Sequence, residues 1–150
     1  MKTHPHLAVA IMAAGKGTRM KDAGRAKVMV ELNGKPMLHY VIRLAGEMKA
    51  TRIIAIVGYQ REIVEHYVKK HFPGAECVAQ AQQMGTGHAV MQTESAFADF
   101  SGNVLVLSGD VPLLQRGTID QLIRYHLETK AVATILTAHL DDPSGYGRII

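Results

Sequence analysis

Leu7-Ala8-Val9-Ala10-Ile11-Met12-Ala13-Ala14-Gly15-Lys16-Gly17-Thr18-Arg19-Met20 is the stretch whose reading decides the fold. Leu7 to Met12 is a short continuous apolar run, the pattern of a strand buried on both faces of a parallel sheet. It passes directly into glycines interleaved with Lys16, Thr18 and Arg19. In an open α/β sheet, ligands bind beyond the carboxyl ends of the strands. Glycines there let backbone N–H groups approach phosphate oxygens. Lys16 and Arg19 add charge-assisted contacts, and an arginine can grip two oxygens at once. The plain alternative is a solvated glycine turn. The cations and Thr18, set directly after a buried strand, favour a triphosphate-binding loop. Spacing excludes two other phosphate motifs: the P-loop G-x-x-x-x-G-K-S/T fails because Gly17 follows Lys16, and the dinucleotide fingerprint fails because Met20 stands where its third glycine belongs.

Outward from this stretch, apolar runs alternate with helix-period segments. Val28 to Leu32 reads as a short strand. Pro36 sits in the first turn of a helix predicted to reach about Lys49, with Leu38, Val41, Ile42, Ala45 and Met48 in one buried stripe. Arg52 to Val57 is a strand ended by Gly58. A helix over Arg61 to His71 follows, its inner face assigned to Ile63, Tyr67 and Val68, and Pro73-Gly74 ends it. Next come a strand around Cys77 to Ala79, a loop from Gln82 to Gly87, a helix over His88 to Phe97 and an apolar strand over Asn103 to Leu107. Thr118 is expected to N-cap a helix with Ile119, Leu122, Ile123 and Leu127 on one face, and Val132 to Leu140 is the last predicted strand. Strands separated by helices imply parallel pairing with right-handed crossovers, an α/β layered sheet.

Bulk properties narrow the function classes. The 150 residues suit one compact domain, and no internal boundary is visible. Hydrophobic residues at 47% and charged residues at 20% are ordinary for a soluble globular protein. No apolar run approaches the roughly 18 residues of a membrane span, and the first residues do not form a signal peptide. Cys77 is the single cysteine, which excludes an internal disulfide and suits a reducing cytoplasm. The net charge of +4 favours anionic partners. The basic residues are scattered with few aromatics beside them, which weakens a nucleic-acid reading; phosphorylated small molecules fit the charge equally well and composition alone does not decide, while the expectation for partners is neither nucleic acid nor a membrane.

Three further segments carry candidate chemistry. Lys27 is a second cation for phosphates, against the commoner fate of a surface lysine. Ser108-Gly109-Asp110 follows the most apolar strand, where a carboxylate is placed to bind Mg²⁺ with phosphates; the competing reading is a turn-starting Asp fixed by Pro112. Gln80, Gln82 and Gln83 precede Met84-Gly85-Thr86-Gly87; their amides can pair with a base edge or simply form a polar loop. The eight histidines show no metal-ligand spacing, Ser108 lacks a nucleophile elbow, and Cys77 reads as a packed thiol.

Together these motifs resemble the N-terminal uridylyltransferase domain of the bacterial bifunctional N-acetylglucosamine-1-phosphate uridyltransferases, within the sugar nucleotidyltransferase superfamily that includes the MobA-like NTP transferases. The matching stretches are Ala13 to Met20, Lys27-Val28, Gln80 with Gly85-Thr86-Gly87-His88-Ala89, Gly109-Asp110-Val111-Pro112-Leu113, and Asp142-Pro143-Ser144-Gly145-Tyr146-Gly147-Arg148-Ile149. They occur in family order. The resemblance implies a Rossmann-like, three-layer nucleotide-diphospho-sugar transferase fold with a mostly parallel sheet, incomplete at its C-terminal end. It implies UTP and a sugar 1-phosphate as substrates, with Mg²⁺ as cofactor. Ala13, Ala14, Gly15, Lys16, Gly17, Thr18, Arg19 and Lys27 would bind the nucleotide, with Lys16, Arg19 and Lys27 as its catalytic cations. Gln80, Gly85 and Thr86 would read uracil, Gly109 and Gly147 would touch the sugar, and Asp110 would hold the metal.

Two departures stand out. Ala26 replaces the proline that normally precedes the lysine, which implies a less rigidly placed Lys27. The chain also stops before the family's second half and its β-helical acetyltransferase domain, as a truncated protein would. Two other readings keep the same residues: a molybdenum-cofactor guanylyltransferase-like enzyme, and a non-catalytic nucleotide-binding module or inactive fragment. The residues give no oligomeric state.

Overall fold

A computed structural model describes residues 6–17, 24–142, 144–145 and 147. Thr18, Arg19 and Met20 of the glycine-rich stretch lie outside the described residues, as do Pro143, Tyr146, Arg148, Ile149 and Ile150. The chain divides into two compact units, Met1–Arg116 and Gly117–Ile150.

The first unit is built on β1 (Leu7–Ala13), whose seven residues carry no polar side chain. A strand of that composition needs cover on both faces and a partner on both edges. It has the partners: β4 (Arg52–Val57) and β6 (Asn103–Ser108) flank it in parallel, so that Ile11 stands opposite Ala55 on one side and Leu107 on the other. Ala8, Val9, Ala10 and Ile11 are fully buried. The fourth strand, β5 (Glu76–Ala79), pairs in parallel with β4 and gives the order β5-β4-β1-β6. The chain therefore builds outward from β1 in one direction, then crosses back to lay β6 on the other side. At such a reversal the loops after neighbouring strands leave in opposite directions and open a crevice at their carboxyl ends.

Between β1 and β4 lie a 3-10 turn (Lys27–Met29), a small hairpin of β2 (Glu31–Leu32) and β3 (Lys35–Pro36), and helix α1 (Met37–Glu47). The predicted strand Val28 to Leu32 is thus mostly turn. Its apolar residues Val28 and Met29 are buried by that turn, and only two residues pair. Asn33 and Gly34, both at positive φ, close the hairpin as a type I′ turn requires. Pro36 caps α1 rather than entering its first turn, and the predicted stripe Leu38, Val41, Ile42, Ala45 and Met48 is buried throughout.

Helix α2 (Arg61–His71) matches its predicted span, but its inner face is Val64 and Val68, with Ile63 left 54% exposed. Both sets obey helical spacing, and packing on β4 and β5 selects the smaller β-branched pair. The predicted helix over His88 to Phe97 is two pieces, α3 (Thr86–Met91) and a 3-10 turn (Ser95–Phe97).

Helix α4 (Arg116–Thr129), all but its first residue in the second unit, begins two residues before Thr118, so Thr118 is inside the helix rather than its cap. Ile119 and Ile123 are buried, Leu122 is half-buried and Leu127 is exposed. The predicted strand Val132 to Leu140 is absent: residues 133–140 have no regular structure. Among the described residues no strand pairs with this segment, and a strand needs such a hydrogen-bonded neighbour.

Ile56, fully buried near the carboxyl end of β4, and Ile63 give a direct test of this packing. Ile56→Ala is expected to cost about 2–5 kcal/mol in urea denaturation, whereas Ile63→Ala should stay within about 0.5 kcal/mol.

Candidate active site

Four loops leave the carboxyl edge of the sheet: residues 14–17 after β1, 58–60 after β4, 80–85 after β5 and 109–110 after β6. The first of these carries two close approaches. Gly58 packs against Ala14 so tightly that a Cβ would stand 2.8 Å from the alanine Cβ and 2.9 Å from its carbonyl oxygen. That carbonyl accepts the Tyr59 N–H at 3.1 Å and the Gln83 side-chain amide at 2.8 Å. Gly17, at φ +66°, lies over Lys27, and a Cβ here would fall 2.7 Å from the lysine Cβ. Glycine is required at this point by both backbone conformation and space.

The loops after β1, β5 and β6 border a cleft of about 350 Å³. Gly15, Gly17, Lys27, Gln80, Gln83, Gly85, Thr86 and Asp110 line it, with Met12, Val28 and Ala89 among its apolar residues. The Lys27 Nζ donates to Asp110 Oδ2 at 2.5 Å, and the Ser108 hydroxyl donates to the other carboxylate oxygen at 2.7 Å. Burial pushes the Asp110 carboxyl up, but the hydrogen bonds from Lys27 and Ser108 outweigh it and hold the group below its ordinary value. Asp110 is therefore an ionised hard-oxygen donor at neutral pH. Among the described residues no three His, Cys, Asp or Glu side chains gather to hold a metal. That donor set fits Mg²⁺, which binds one or two carboxylates and takes its other ligands from phosphates and water. It does not make an all-protein metal cage.

The glutamine-rich loop is ordered by its own amides. Gln80, buried, places Nε2 3.1 Å from the Gly85 carbonyl and 3.0 Å from His88 Nδ1. Gln92 adds a contact of 3.3 Å to the other ring nitrogen. His88, to which the sequence reading assigned no chemistry, is thus the post around which residues 80–92 are fixed. Gln82 is exposed.

Other predicted residues fall elsewhere. Lys16 does not line this cleft. Its ammonium stands 5.8 Å from the Tyr59 ring centroid, beside an adjoining cleft of about 470 Å³ that also includes Arg61. Gly109 is buried, its N–H bonded to the Met12 carbonyl at 2.9 Å, and a Cβ would lie 3.1 Å from Val28 Cγ1. This glycine lets β6 close against β1. Gly147 belongs to the second unit, so its role rests on the resemblance, as do those of Thr18 and Arg19.

A model of the MobA-like NTP transferase domain matches residues 9–145. The bifunctional protein GlmU of Cyanothece sp. is 47% identical over 144 residues, which is 96% of this chain and 31% of that protein. The Streptococcus mutans serotype c protein of the same name is 45% identical over 140 residues, 93% of this chain and 30% of that one. The chain thus spans under a third of the length of these curated relatives. Among solved structures, a nucleotidyl transferase from Methanothermobacter thermautotroptrophicus superposes with a TM-score of 0.68 at 18% identity, covering 81% of this chain and 58% of that one. UDP-glucose pyrophosphorylase from Acinetobacter baumanii gives 0.69 at 21% identity, covering 87% and 54%. These likenesses show the fold, a Rossmann-like parallel sheet of the nucleotidyltransferase type.

The Lys27–Asp110 contact has a titration signature. In wild type the Asp110 carboxyl should titrate below its ordinary 3.8. In Lys27→Ala, burial loses its main opponent and the midpoint should move upward in a carbon-13 NMR titration. A depressed folded-state value stabilises the fold above the ordinary carboxylate range, and that stabilisation is lost as pH falls through the depressed value. The stability difference between wild type and Asp110→Asn should accordingly shrink in acid.

Proposed function

The chain belongs to the MobA-like NTP transferase domain family, and on that premise we propose that it transfers UMP from UTP to N-acetylglucosamine 1-phosphate, giving UDP-N-acetylglucosamine and pyrophosphate. The observation that carries this reading is the convergence of an ion-paired cation and carboxylate, Lys27 and Asp110, with the Gly15–Gly17 backbone and the residue 80–86 loop around one cleft. The likeness to the bifunctional GlmU proteins at 47% and 45% identity supports the sugar-phosphate class. Residues 1–150 would form part of that transferase domain, working in the cytoplasm.

The chemistry asks for no protein nucleophile. An oxygen of the sugar phosphate, already anionic, attacks the α-phosphorus of UTP; the bond from that phosphorus to the bridging oxygen breaks, and pyrophosphate leaves with the electron pair. The protein's part is positioning and charge neutralisation. Gly15 and Gly17 let the backbone approach the phosphates. Lys27 exchanges its carboxylate partner for a phosphate oxygen, and Lys16 and Arg19 supply further positive charge to the leaving group. Gln80, Gly85 and Thr86 form the wall against which uracil is read. Asp110, released by Lys27, would hold Mg²⁺. When bound, the ion supplies Lewis-acid neutralisation of phosphate charge.

Pyrophosphate release measured with UTP, the sugar phosphate and Mg²⁺ tests this reading. Lys27→Ala and Asp110→Asn should each lower kcat by about 100-fold or more. Arg19→Ala should lower turnover far more than it lowers the thermal midpoint; parallel losses would remove Arg19 from the chemistry. UTP should raise the thermal midpoint more than GTP does. The reverse order would favour a guanylyltransferase.

A further inference from the structure

We infer that Gln60 is a positioning residue for Lys27, its side-chain amide clamping the bend that delivers the lysine to the cleft. Gln60 lies in the loop after β4, 34 residues from the bend in sequence, and its amide serves both sides of it. Oε1 accepts the Ala26 N–H at 2.7 Å, and Nε2 donates to the Gly24 carbonyl at 2.6 Å. One planar group thus satisfies a donor and an acceptor two residues apart on the same short segment.

The clamp has a firm base. Gln60 adopts a left-handed conformation, φ 51° and ψ 38°, as the residue preceding α2. Just before it, Gly58 packs on Ala14 and the Tyr59 N–H bonds the Ala14 carbonyl. The clamped residue is equally confined. Ala26 is fully buried, and the 3-10 turn that starts at Lys27 has no side-chain cap of its own. From the other side Gly17 closes over the Lys27 Cβ. The lysine stem is held between two loops, and its outer atoms are left to exchange Asp110 for an anionic ligand. The loosely placed Lys27 expected from Ala26 is therefore not what the structure holds: a long-range side chain does the work of a local ring.

The geometry makes that substitution testable. Ala26 has φ −57°, close to the value that a proline ring imposes by itself, and its ψ of 130° is open to proline. Proline lacks the N–H that Gln60 accepts, and its ring carbon would collide with an oxygen 2.7 Å from the nitrogen. Gln60 and a proline at position 26 are thus alternative and mutually exclusive ways of fixing one bend.

The kinetic half of the inference rests on the proposed nucleotidyl transfer; the clamp itself does not. The test compares wild type, Gln60→Gly, Ala26→Pro and the double variant. Glycine at position 60 removes the amide and keeps the left-handed backbone unstrained. Pyrophosphate release should fall by about 10- to 100-fold in each single variant, the loss expected of a misplaced catalytic group. It should return to within about threefold of wild type in the double variant. In a Lys27→Ala background, Gln60→Gly should cause no further loss. A double variant no better than its worse parent, or a full further loss without Lys27, overturns the inference. Hydrogen exchange at the Met29 and Val30 amides is read in the same four proteins: faster in Gln60→Gly, restored in the double variant. If wild type releases no pyrophosphate, the functional reading fails and the exchange pattern alone decides the clamp. Unchanged exchange in Gln60→Gly overturns it.

Discussion

The contact between Lys27 and Asp110 is the point at which the separate parts of this structure meet. The pair is partly open to solvent, with side-chain exposures of 40% and 26%, so it contributes little to stability by itself. Its significance is topological. Lys27 comes from the connection after β1 and Asp110 from the end of β6, 83 residues apart. They meet because the strand order reverses between β1 and β6. A carboxylate half-withdrawn from water stays ionised there because an ammonium and a hydroxyl hydrogen-bond to it. Under the proposed function, this pair divides when the triphosphate binds: the ammonium takes a phosphate oxygen and the carboxylate is left for the metal.

Close backbone approach makes the meeting possible. Gly58 against Ala14, Gly17 over Lys27 and Gly109 against the Met12 carbonyl each fill a space that any Cβ would contest. These glycines bring the loop ends of β4, β1 and β6 within reach of each other. The glutamines then fix what the glycines admit: Gln83 ties the 80–85 loop to the Ala14 carbonyl, Gln80 orders that loop through Gly85 and His88, and Gln60 ties the approach to Lys27. Cleft walls made of amide contacts between loops can hold shape without burying charge.

Much of this was legible in the sequence, for identifiable reasons. Arg52–Val57 and Arg61–His71 are read to the residue because an apolar run ended by Gly58 and a helix ended by Pro73-Gly74 leave no competing boundary. The sheet's ligand edge follows from β1 and its glycines. Ile63 was misplaced because Ile63–Tyr67 and Val64–Val68 share the same spacing, and only the packing surface chooses between them. Val132 to Leu140 has the apolar content of a strand, but among the described residues no strand pairs with it, which no local pattern reveals. Gln60 was invisible because its partners are Gly24 and Ala26, remote in sequence and bonded through backbone. Lys16 carries the right charge beside the right glycines, yet its side chain leaves the loop toward Tyr59.

The nucleotide site proposed here is one cleft, at the β1–β6 reversal. Its most direct test is an amide chemical-shift titration with a non-hydrolysable UTP analogue and Mg²⁺. The largest shifts should fall together on Gly15, Gly17, Lys27, Gln80, Gly85, Thr86 and Asp110. Shifts concentrated instead where His39 of α1 meets the Tyr67 hydroxyl of α2 at 2.9 Å, with these seven unmoved, would overturn that assignment.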